Sequence, residues 1–167
     1  GKFKNDFTEQ VISFDSLISL ANTRCQDKYL SINVQAHFEL AIPIDTLAQL
    51  FAAKLLKFKS LERVTTECAD ANFLYYLKEN NKYAACFLVG DIDSNSVRDV
   101  FGFELDGLVA SFEKRNEMLE QELADSSKKI MLYGQKSPQH FSNYTYKHIY
   151  WIQVDNPIAA IKYFREE

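Results

Sequence analysis

The sequence predicts an α+β fold: one domain built on a mixed, largely antiparallel sheet of four to six strands, with three or four helices packed against it. Three stretches carry that expectation. Residues 30–42 alternate apolar and polar side chains, the mark of a strand with one buried face. Residues 83–89 are apolar without alternation, so this strand is covered on both faces and sits centrally. Residues 97–123 place Val97, Phe101, Leu105, Leu108, Phe112, Leu119 and Leu123 on one side of a helix.

In chain order, Phe7, Val11, Phe14, Ile18 and Ala21 step by three and four and predict a helix over 7–21. The strand over 30–42 buries Leu30, Ile32, Val34, Ala36, Phe38, Leu40 and Ile42, with His37 and Glu39 on its polar face. Pro43 ends it, and Asp45 can cap a helix whose apolar side is Leu47, Leu50, Phe51, Leu55 and Phe58. Lys54, Lys57 and Lys59 then suit the negative end of that helix. Residues 62–68 read either as a strand, from the β-branched Val64, Thr65 and Thr66, or as a continuation of the helix. Phe73, Tyr75 and Leu77 alternate along 72–78, and turn residues at 79–82 would join that strand to 83–89 as a hairpin. Ser96 and Asp99 form a capping box before the helix over 97–123, in which Gly102 and Gly107 would each cost about 1 kcal/mol. They mark a kink, or a short strand over 100–105 with the helix after Asp106. A short strand over 129–133, a loop over 134–143, a strand over 144–154 and a helix opening at Asn156-Pro157 complete the chain.

The 167 residues suit a single domain, 1–167, with a sizeable core, and 47% of them are hydrophobic. The net charge of −4 argues against a general nucleic-acid face, which wants basic residues. Cys25, Cys68 and Cys86 are odd in number and widely spaced, which speaks against a disulfide framework or zinc site and for a reducing cytoplasm. No apolar run reaches the roughly 20 residues of a membrane span. A start at Gly1 without Met and an end inside a predicted helix read as a domain excised from a longer protein.

Two places could carry chemistry. Asp91 and Asp93 follow the central strand, where α/β proteins bind ligands, and could hold Mg²⁺ against a phosphate. Otherwise no cofactor is implied. The apolar strand with Asp91-x-Asp93 resembles, over some eight residues, the nucleophile motif of haloacid-dehalogenase phosphatases and the metal motif of nucleotide-sugar glycosyltransferases. Asn95 stands where the former has Thr or Val, and the chain is too short for either fold. Asp91, Asp93 and Asn95 also mimic the opening of a calcium loop, but Ser96 and Gly102 replace its glycine and closing glutamate. The plain alternative is a helix cap. The second place is the C-terminal aromatic stretch: His140, Tyr144, Tyr146, His148 and Trp151 could stack a base or cage a cation, if they do not pack the core. Cys86 lies in the apolar run and should be inert.

No nucleophile elbow, P-loop or dinucleotide fingerprint is present. The leading expectation is a non-catalytic binding module within a larger bacterial-type assembly, recognising a protein or small ligand. A metal-assisted enzyme acting on a phosphate-containing substrate through Asp91 and Asp93 is the alternative, with a nucleic-acid or modified-base reader on the aromatic strand beside it. The polar helix end near Leu123, with the Ser126-Ser127 turn, is the expected contact surface for a protein partner or homodimer, unless its leucines lie on the domain's own sheet. A membrane partner is not expected.

Overall fold

The computed structural model describes residues 12–35, 42–135, 148–154, 158 and 161–162. They form a β/α repeat. Strands β1 (Leu30–Asn33), β2 (Val64–Cys68), β3 (Ala85–Val89), β4 (Gly107–Ser111), β5 (Lys129–Gln135) and β6 (Ile149–Val154) lie in chain order in one sheet. Every neighbouring pair is parallel. Helix α1 (Phe14–Arg24) precedes β1, and α2 (Ile44–Leu55), α3 (Ala71–Asn80), α4 (Ser94–Gly102) and α5 (Glu117–Asp125) each link one strand to the next.

Sequential order has a geometric consequence. Parallel crossovers are right-handed almost without exception, so helices that always step to the next strand fall on one face of the sheet. The other face can curl on itself, and it does. Gln153 Nε2 on β6 donates to Glu67 Oε1 on β2 at 2.9 Å. In a flat sheet these strands would stand four spacings apart, roughly 19 Å. The result is a half-barrel of the (β/α) barrel type. Its outer core packs Leu108, Ile130 and Leu132 of the sheet against Phe73, Leu77, Val97 and Leu123 of the helices. Its inner core is Phe87, Val109 and Met131, with Trp151 beside them.

The mixed, antiparallel sheet expected above is therefore wrong, and three stretches explain the error. The strand predicted over 30–42 stops at Asn33, while 36–41, with His37 and Glu39, lie outside the described residues. Its alternation is real, since Leu30 and Ile32 pack on the helical side, but its neighbour runs parallel. The strand predicted over 72–78 is helix α3. Asp70 caps it by accepting from Asn72 N–H at 2.9 Å and Phe73 N–H at 3.1 Å, and the buried set is Phe73, Leu74 and Leu77. No hairpin forms there. The helix predicted over 97–123 is α4, β4, a 3₁₀ turn at Phe112–Lys114 and α5. Leu105, Leu108 and Leu119 thus never share one helix face, and Leu119 and Leu123 are buried in this chain's own core while Met118 is exposed. Among the described residues no helix is long and apolar enough to cross a membrane.

Candidate functional site

All six strands end on the same side of the sheet, and that side is where β/α barrels place catalytic groups. The loop after β3 brings Asp91 and Asp93 there, as the sequence indicated. Gly90 permits its tight path: a Cβ at that position would sit 2.8 Å from Ser96 Oγ, which folds back over the strand end. Asp93 caps α4, accepting from Ser96 N–H at 2.8 Å. That backbone hydrogen bond holds its carboxyl below the usual range. Asp91 instead accepts from Lys114 Nζ at 2.8 Å, joining the loop after β3 to the turn after β4. The hydrogen bond to Asp91 raises the Lys114 pKa. Both partners are exposed, so the pair adds little stability, and its interest is where it places a cation.

The cap makes a pH-dependent prediction. A carboxyl with a lowered folded pKa stabilises above its unfolded pKa, and that contribution is lost as pH falls through the folded value. Asp93→Ala is therefore expected to lower the melting temperature at neutral pH. The gap to the parent should close as pH drops below about 4. A gap that is constant with pH in thermal melts would contradict the cap.

Glu67 and Gln153 complete the same end and were not anticipated. Each stands one residue before the end of its strand, on the inner face. Ser31 Oγ also donates to Glu67 Oε1. Ser111 and Tyr133 occupy matching positions on β4 and β5, and Tyr133 lies close enough to Lys114 to act on its charge. An arc of Asp91, Lys114, Tyr133, Gln153 and Glu67 therefore follows the mouth of the half-barrel. The sequence signal for Glu67 was faint: a lone acid inside the β-branched run at 64–68, whose structure was ambiguous.

Of the aromatic candidates, the described His148 and Trp151 do not join this arc. His140, Tyr144 and Tyr146 lie outside the described residues. His148 precedes β6, and the Trp151 ring meets Tyr29 at 5.2 Å and Tyr150 at 5.1 Å. These rings border a cavity of about 290 Å³ at the opposite, N-terminal end of the sheet, so Trp151 stands at the other end from Asp91 and Asp93. Among the described residues no group of three or more His, Cys, Asp or Glu could hold a metal ion. Cys86 is buried, which pushes its thiol up to about 12 and leaves it unreactive at neutral pH.

Fold and mouth together define a chain of the β/α-barrel class with a polar cluster at the C-terminal end of its strands. No family model matches the sequence, and no curated protein matches it. Solved structures do share its fold. One from Silicibacter pomeroyi, ascribed to the glycerophosphoryl diester phosphodiesterases, superposes with a TM-score of 0.77 at 13% identity over 90% of this chain and 55% of that one. One from Galdieria sulphuraria, ascribed to the glycerophosphodiester phosphodiesterases, gives 0.75 at 12% identity over 89% and 63%. A glycerophosphodiester phosphodiesterase from Parabacteroides distasonis gives 0.70 at 10% identity over 83% and 58%. The chain thus spans somewhat more than half the length of these structures. The expectation of a non-catalytic binding module is corrected by this finding. It rested on missing motifs, on ends that read as cut and on a charged projecting helix, whereas the fold is one shared with proteins described as phosphodiesterases.

Proposed function

We propose that the chain is the greater part of a barrel enzyme that hydrolyses a phosphodiester at the C-terminal mouth of its sheet. The observation that carries this reading is the Asp91–Lys114 pair at 2.8 Å, set at the end of the strands where barrel enzymes keep their chemistry. A phosphodiester carries one negative charge, and Lys114 is placed to receive it. Binding then draws Lys114 from Asp91 and frees that carboxylate to take a proton from the attacking water, whose oxygen bonds to phosphorus as the P–O bond to the alcohol breaks, the departing alkoxide taking a proton from solvent. Asp93 keeps its capping role and holds the loop in place.

Mg²⁺ would be held by the carboxylates of Asp91 and Asp93, beside the bound phosphate. Bound there, it would supply Lewis-acid polarisation of the phosphoryl oxygens. The fold's neighbours make a glycerophosphodiester the first substrate to test. Incubation with glycerophosphocholine and Mg²⁺ should release choline, Ca²⁺ being the comparison ion, and a chelator should slow the release. Lys114→Ala is expected to reduce turnover by about a hundredfold, the usual loss when one transition-state charge partner is removed. No release by the parent chain, or an undiminished rate in the variant, would refute the proposal.

A further inference from the structure

Glu67 is only 3% exposed, and a buried carboxylate is costly unless something pairs with it. The partners it has are neutral. Ser31 Oγ and Gln153 Nε2 both donate to Oε1. Thr65 Oγ1 lies 3.0 Å from Ser31 Oγ and donates to it, which leaves the Ser31 proton directed at the carboxylate. Among the described residues no ion pair involves Glu67 and no hydrogen bond falls on Oε2. Three strands, β1, β2 and β6, therefore fix one oxygen and leave the other uncommitted, in the last inward layer before the mouth.

Charge decides what that oxygen can receive. An anion is repelled by it, so a phosphate belongs at Lys114, on the rim. A hydroxyl donor is attracted, and a charge-assisted hydrogen bond in a water-poor interior is strong. We infer that Glu67 is a specificity-determining residue of the proposed site, its Oε2 accepting hydrogen bonds from hydroxyls on the alcohol half of the phosphodiester. The inference rests on the phosphodiesterase reading for its substrate. It excludes diesters whose alcohols are purely apolar as good ligands of the interior.

Binding and turnover can be separated by titration calorimetry of glycerophosphocholine against the parent chain and Glu67→Gln, followed by a choline assay on the same samples. The variant should bind about tenfold more weakly or worse, the usual loss for a hydrogen bond to a charged group. Diethyl phosphate, which has no donor, should bind the variant no more weakly than the parent. Equal affinity for glycerophosphocholine, or no binding by the parent, overturns the role given to Glu67. Binding that depends on Glu67 without any choline release supports that role and sinks the phosphodiesterase reading instead. Should Glu67→Gln fail to give a cooperative melt, Glu67→Asp, which keeps the charge but withdraws the oxygen, decides: undiminished affinity there overturns the inference.

Discussion

Gly107→Ala is expected to cost about 3 kcal/mol or more, at the upper end of what overpacking inflicts, and to leave little folded protein at 37 °C. An added Cβ would lie 1.9 Å from Lys129 O, 2.8 Å from Lys129 C and 2.9 Å from Phe87 Cε1. The first two obstacles are backbone atoms of the adjacent strand, so no rotamer change relieves them. Relief requires β4 and β5 to part, which breaks the register Gly107↔Lys129 through Ser111↔Tyr133 at the centre of the sheet. Gly102→Ala is the control. Nothing lies within 4 Å of a Cβ there, at the end of α4, and the change should be neutral or stabilising. Urea unfolding of the pair is the measurement. Equal midpoints for the two variants would show that the strands do not approach as described.

Glu120→Ala should cost roughly 3–5 kcal/mol. Arg115 donates to Glu120 from Nε at 2.8 Å and from Nη2 at 2.5 Å, a bidentate pair in which the side chains are 11% and 1% exposed. Removing the carboxylate takes both of these hydrogen bonds from a guanidinium that is largely out of water. Replacing both residues at once, Arg115→Met with Glu120→Leu, should cost much less than the single change, because no buried charge then remains. Denaturant melts of the single and double variants test this, and a double variant as unstable as Glu120→Ala would refute it. The pair also matters to the mouth. Lys114 precedes Arg115, so the bond to α5 anchors the turn that presents the lysine, and choline release should fall in Glu120→Ala even where the chain remains folded.

Some of the site was legible residue by residue. The acidic turn reads as a helix cap, and Asp93 is one, although the capping box expected at Ser96 and Asp99 gives way to Asp93 accepting from Ser96 N–H; capping depends on side-chain chemistry within three residues. The loop after an apolar strand reads as a ligand position, and Asp91 does stand at the strand's C-terminal end. Glu67 was not legible, since its partners come from β1 and from β6, the latter 86 residues away. The alternation at 72–78 misled for an equally physical reason. Phe73, Leu74, Tyr75, Tyr76 and Leu77 are apolar or aromatic in succession, so both the period of a strand and that of a helix can be drawn through them. Asp70 settles the choice by capping the helix.

By itself the sequence determined which short segments bury themselves: the doubly covered strand at Ala85–Val89, the helix-facing half of Leu30–Asn33, and the strand at Lys129–Gln135. Burial of a side chain is a local property, written in period and polarity. Only the tertiary structure decided how those segments pair. A strand's alternation states which face is wet and not which way its neighbour runs, and direction is set by whether a helix intervenes. Here a short helix intervenes between each strand and the next from β1 to β5, long enough for a crossover, and β6 also runs parallel to β5, so the sheet is parallel and curls. That curl alone brings Gln153 to Glu67 and turns separate strand ends into a mouth.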